Sequence, residues 1–84
     1  MTYALLITRP ARKGLDDLPT EGYQRVKAAI DDLAITPRPE GCRKLVEREG
    51  WRIRVGDYRV LYTINDKIRT VTIIHISKRA EAYR

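Results

Sequence analysis

Three arginines recur at alternate positions in the stretch Trp51-Arg52-Ile53-Arg54-Val55-Gly56-Asp57-Tyr58-Arg59-Val60-Leu61-Tyr62. Residues two apart in an extended strand share a face. Arg52 and Arg54 therefore point one way, and Trp51, Ile53 and Val55 the other. A two-residue turn at Gly56-Asp57 with glycine first suits a type II′ hairpin. That turn sets Arg54 opposite Arg59, Arg52 opposite Leu61, Ile53 opposite Val60 and Val55 opposite Tyr58. Like charges opposed across strands cost up to ~1 kcal/mol, a cost that an anion between them removes. Any single arginine is explained by a wet sheet face. Three that converge, with no acid among them, point to an anionic ligand, and both readings stand at this stage.

The end of the chain adds Ser77-Lys78-Arg79-Ala80-Glu81-Ala82-Tyr83-Arg84. Arg79 and Tyr83, four residues apart, share a side whether the segment is helical or extended. His75 joins them if residues 75–79 stay in a strand. On spacing alone a tyrosine at position 83 is more often an apolar anchor for the tail. The lone histidine, set in an apolar run, is more often a structural hydrogen-bonder than a catalyst.

With 84 residues the chain makes one domain with a thin core, spanning 1–84. The single cysteine, Cys42, excludes an internal disulfide, and no Cys/His spacing resembles a zinc site, so neither metal nor cofactor is expected. The apolar run near the N-terminus precedes its basic residues and is too short for a signal peptide, and no run spans a bilayer. A soluble cytoplasmic protein without a membrane partner is the plain reading. The net charge of +6 is unevenly placed. Residues 1–50 hold nine basic and eight acidic side chains, whereas residues 51–84 hold eight basic and three acidic. Such a basic segment suits nucleic acid or an acidic protein.

The elements that must position these residues can be read from periodicity. Residues 3–7, YALLI, read as a buried strand, followed by Pro10 in the first turn of a helix. Ala11, Leu15 and Leu18 recur at helical spacing, weakened by Gly14 and stopped by Pro19. Thr20 is a natural N-cap for a second helix with the stripe Tyr23, Val26, Ile30 and Leu33. Breakers at 36–41 end it. From residue 43 the period becomes two: a short strand at 43–46, the hairpin, a turn near Asn65-Asp66-Lys67, and the β-branched run 70–76. That run, apolar on both faces, reads as a central strand covered on both sides. The order is β-α-α-β-β-β-β, an α+β fold with an antiparallel sheet and both helices on one face.

At this level of detail WRIRVGDYRVLY, with the closing run HISKRAEAYR, resembles the RelE branch of the RelE/ParE toxin superfamily from bacterial and archaeal toxin–antitoxin pairs. The likeness covers nearly the whole chain, including Leu15 to Pro19 at the end of the first helix. R-x-G-D-Y-R-V-x-Y is specific for the superfamily, and K-R-x-E-x-Y points to its ribonuclease branch. The resemblance implies a ribosome-dependent mRNA endoribonuclease, free of metal, whose partners are the ribosome with its rRNA, the mRNA, and an acidic antitoxin that wraps it. By position it assigns Arg54, Arg59, Arg79 and Tyr83 to catalysis. Arg52, Arg54, Lys44 and Lys78 are assigned to RNA phosphates.

The chemistry is consistent with those residue types. Guanidinium groups stabilise charge on a phosphoryl centre in bidentate fashion. Tyrosine, with an ordinary pKa of about 10, becomes a usable base only beside cations that favour its phenolate. Tyr83 is thus the expected base, Arg79 and Arg54 its neighbours, and His75 a fallback acid or base. Two departures matter. Arginines replace the lysines frequent at positions 52 and 54, and arginine does not give up its proton. The sequence also stops at Arg84, without the further helix of some relatives, leaving Tyr83 to be ordered by a partner. The rival readings are a ParE-like toxin that binds DNA gyrase without nuclease chemistry, and a relative that only pairs with its antitoxin.

Overall fold

Hydrophobic periodicity changes once along the chain, and the architecture changes with it. The computed structural model describes residues 2–78. In order these form β1 (Ala4–Ile7), α1 (Arg9–Asp16), α2 (Thr20–Leu33), β2 (Arg43–Lys44), β3 (Trp51–Val55), β4 (Tyr58–Asn65) and β5 (Thr70–Lys78). The α+β class and the element order agree with the sequence reading. Arg79 and Tyr83 lie outside the described residues.

Thr8 begins α1: its hydroxyl oxygen accepts from the Ala11 N–H at 3.4 Å, and Pro10 sits in the first turn, where no backbone donor is needed. The same hydroxyl donates to the Ile73 carbonyl at 2.9 Å, which ties the end of β1 to β5. Gly14, which costs helix propensity, has a tertiary reason. A Cβ there would lie 2.5 Å from the Ile76 carbonyl oxygen, so only glycine lets α1 approach β5 this closely. The start of α2 differs from expectation. Pro19 holds the cap position without a side-chain bond, and Thr20 is already helical. The helix is opened by a backbone bond from Tyr23 N–H to the Pro19 carbonyl at 2.8 Å, and proline's fixed φ suits that position. Val26, Ile30 and Leu33 are buried as the stripe requires, with Tyr23 packed against them.

The five strands form one sheet ordered β1-β5-β4-β3-β2. Strands β2 to β5 pair antiparallel, as expected, while β1 adds parallel to β5, Ala4 beside Thr70 through Ile7 beside Ile73. The wholly antiparallel sheet expected from the element order is thus corrected to a mixed one, because the helix pair carries the chain across the sheet before the strands that follow, and β1 docks alongside β5 in the same direction. Between β4 and β5 the ladder slips once. Leu61 faces His75, Tyr62 faces Ile73, and Ile74 is the extra residue of a β-bulge. The core lies between the helices and one sheet face, with Leu15, Ile30, Val60, Tyr62, Val71 and Ile73 fully buried. Strand β5 is interior, but it is covered less than its composition suggests. Val71, Ile73 and Ile76 are buried, Ile74 is half-buried and His75 is exposed.

Candidate functional site

The hairpin forms with the register the alternation requires: Trp51 pairs with Tyr62, Arg52 with Leu61, Ile53 with Val60, Arg54 with Arg59 and Val55 with Tyr58. Gly56 has φ +60, and Asp57 is not among the residues with positive φ. This combination is that of a type II′ turn, in which only the first central residue needs the left-handed region. The cationic side chains consequently occupy the face away from the helices.

On that face the pairings line up in two rows. One runs Arg43, Arg52, Leu61, His75 across four strands, and the other runs Arg54, Arg59, Ser77 across three. No carboxylate belongs to either row. The ion pairs of the described residues lie elsewhere: Arg12 with Asp16, Lys27 with Asp31 and Arg38 with Asp66. Exposure separates the arginines. Arg43 and Arg54 are exposed and Arg52 is half-buried. Arg59 is 1% exposed, an engaged side chain within the packing. Arg59 is thus enclosed, whereas Arg43, Arg52 and Arg54 line a concavity of about 400 Å³ with Glu40 and Gly41.

Two residues expected at the site lie on the other face. Lys44 pairs with Trp51, and Lys78 pairs with Tyr58. Both partners pack against the core, so strand alternation turns these exposed lysines towards the helix side of the sheet. The structure therefore does not bring Lys44 or Lys78 into the arginine rows. His75 is on the arginine face, exposed, at the end of the first row. Arg43 was not foreseen as a site residue. Its signal was its parity with Arg52, which becomes readable only when the register of the two-residue strand β2 is known.

Arg38, Asp66, Tyr3 and Tyr62, near the hairpin, are committed to structure. Arg38 donates to Asp66 at 3.0 Å, and its guanidinium lies 5.3 Å from the centre of the Trp51 ring. The Tyr3 hydroxyl donates to the same carboxylate at 2.7 Å. Asp66 is held below the usual carboxylate range, first by the Arg38 hydrogen bond and then by that of Tyr3. Donation to the carboxylate in turn raises the Tyr3 phenol. Burial pushes the Tyr62 phenol far above its ordinary value, and its hydroxyl donates to the Pro37 carbonyl at 2.8 Å. Tyr62 is thus a neutral core phenol, unsuited to act as a base. Among the described residues no three His, Cys, Asp or Glu side chains are grouped so as to hold a metal ion. No helix among them is long and apolar enough to cross a membrane.

This fold is shared with known proteins. Residues 5–83 match the family described as ParE toxin of type II toxin-antitoxin system, parDE. The chain belongs to this toxin family. It is 34% identical over 90 residues to Toxin RelG of Mycobacterium tuberculosis, covering 100% of this chain and 99% of that protein. It is 30% identical over 88 residues to Putative toxin RelE1 of Methanocaldococcus jannaschii, covering 100% of this chain and 98% of that protein. Among solved structures, the archaeal RelE-RelB complex from Pyrococcus horikoshii OT3 matches with a TM-score of 0.84 at 32% identity, over 96% of this chain and 99% of that one. The chain is a RelE-like toxin of a type II toxin–antitoxin system.

Proposed function

We propose that this toxin inhibits translation by cleaving mRNA on the ribosome, and that its open sheet face is the catalytic surface. The observation that supports this most is the pair of arginine rows, Arg43–Arg52 and Arg54–Arg59, with no carboxylate among their cross-strand neighbours. Such a surface suits a chain of phosphates better than it suits solvent.

In the proposed reaction a 2′-OH of the mRNA attacks the adjacent phosphorus. The bond from 2′-oxygen to phosphorus forms as the bond to the 5′-oxygen breaks, leaving a 2′,3′-cyclic phosphate and a 5′-OH. The 2′-proton passes to a base, for which the family resemblance nominates Tyr83, and a proton is returned to the departing 5′-oxygen. Arginine cannot supply that proton; His75, exposed on the same face, is the fallback acid or base. Arg54 holds the phosphoryl oxygens, Arg52 binds RNA phosphate beside it, and Arg59 and Arg79 add positive charge to a centre whose transition state is more anionic than its ground state. Lys44 and Lys78 are left to peripheral contacts with rRNA.

The natural inhibitor in this reading is an antitoxin, since the Pyrococcus relative is found in complex with RelB, and a basic face suits an acidic one. The test is a reconstituted translation reaction to which the purified toxin is added, with mRNA 5′ ends mapped by primer extension. Cuts within A-site codons that need ribosomes and vanish in Tyr83→Phe or Arg79→Ala support the proposal. Intact mRNA together with growth arrest would favour the second reading, gyrase binding, to which the ParE name of the matching family gives its weight.

A further inference from the structure

The pocket at the sheet edge contains more cation than the cleavage centre requires. Arg43 and Arg52 face one another directly across β2 and β3, and Arg54 completes the wall. None of the three forms an ion pair with a described residue, and Glu40, on the rim, stays beyond ion-pair reach. Gly41 on the same rim has φ +93, and a Cβ there would meet nothing within 4 Å, so the rim is uncrowded at that residue. An edge strand only two residues long, placed so that its first side chain opposes another arginine, gains nothing in packing from the charge it carries.

We propose that Arg43 and Arg52 form a second phosphate subsite, which holds a phosphodiester of the substrate strand adjacent to the one cleaved. The proposal rests on the reading of this face as an RNA-cleaving surface, and it adds a positioning residue that the sequence motif does not contain. The spacing supports it. The Arg43–Arg52 and Arg54–Arg59 rows are two residues apart along β3, roughly 7 Å, comparable with the separation of neighbouring phosphates on an extended single strand. Arg54 lines the pocket and also heads the second row, so a ligand crossing both subsites must present anions at regular short intervals. A polynucleotide backbone does so at every residue. An acidic peptide, whose successive side chains alternate in direction when extended, does so less well.

Arg43 in this role affects capture and placement of the strand, and leaves the bond-breaking step to the other row. The experiment compares wild type, Arg43→Ala and Arg43→Lys as full-length toxins, each checked for folding by circular dichroism. Binding of a mixed-sequence single-stranded RNA oligonucleotide is measured as a function of salt, alongside binding of a polyglutamate peptide. Single-turnover cleavage on ribosomes is followed at saturating toxin. One lost phosphate contact on a single strand lowers the slope of log affinity against log salt by about 0.7, weakens all sequences alike and leaves the saturated cleavage rate unchanged. Arg43→Lys should recover most of the slope.

An unchanged slope in Arg43→Ala overturns the subsite. So does a change confined to the polyglutamate peptide, which would give Arg43 to a protein partner, or a fall in the saturated rate at unchanged affinity, which would make it part of the chemistry. If wild type binds RNA with the Arg43-dependent slope but never cuts ribosome-bound mRNA, the cleavage reading fails and the subsite stands.

Discussion

Arg54 and Arg59 face one another in register, yet Arg54 is exposed while Arg59 is 1% exposed. The two are therefore separable by mutation. Arg54→Ala should lower single-turnover cleavage by about a hundredfold, the typical cost of losing one transition-state donor, and change stability by less than about 0.5 kcal/mol. Arg59→Ala should lower activity and also cost about 2 kcal/mol or more, because a packed, engaged side chain is removed. Urea titration beside cleavage assays distinguishes them. A second residue-level expectation concerns pH. The Asp66 carboxyl is depressed in the folded chain by Arg38, so its contribution is present above the ordinary carboxylate range and is lost as pH falls through the folded value. Carboxyl-carbon NMR should find Asp66 titrating below ordinary aspartates, and Arg38→Ala should return it towards them. The arginine alternation was legible in the sequence because strand parity is a local property. The burial of Arg59 was not, because burial depends on what lies over the face.

At the level of elements, periodicity located both helices, the hairpin and the last strand, and the Gly-Asp turn fixed the hairpin register to the residue. Three features escaped it, each a matter of tertiary pairing. They are the parallel docking of β1, the short ladder that places Arg43 beside Arg52, and the facing of Lys44 and Lys78. Gly14 shows the same limit from the other direction. Helix propensity favours alanine there by about 1 kcal/mol, but a Cβ would meet backbone, the Ile76 carbonyl oxygen, at 2.5 Å. Gly14→Ala should consequently destabilise the protein, by about 1–3 kcal/mol as for other overpacked sites, with a lowered urea midpoint. An unchanged or raised midpoint would show that α1 can lift from β5 without loss.

For the whole molecule, the division of labour is between two faces of one sheet. One is sealed by α1 and α2, and the other is cationic, with Arg43 and Arg54 exposed on it and Arg59 buried. The charge asymmetry of the sequence announced that arrangement, since most of the +6 belongs to residues after 50. It did not say which face each cation occupies. That assignment depends in β5 on the bulge at Ile74, whose carbonyl is also within 3.3 Å of the Thr8 hydroxyl. Below the bulge the odd-numbered residues Val71 and Ile73 face the helices; above it the even-numbered Ile76 does, and His75 faces outward. This makes the strand unequal in its tolerance of changes in length. Removing Ile74 leaves every other side chain on its present face, whereas removing Thr72 turns Val71 out of the core. A chain lacking Ile74 should still fold cooperatively, and one lacking Thr72 should not, as thermal melts would show. Descendants of this sequence can lose a residue from β5 at one position and keep both faces; elsewhere in the strand the same loss exchanges interior for surface.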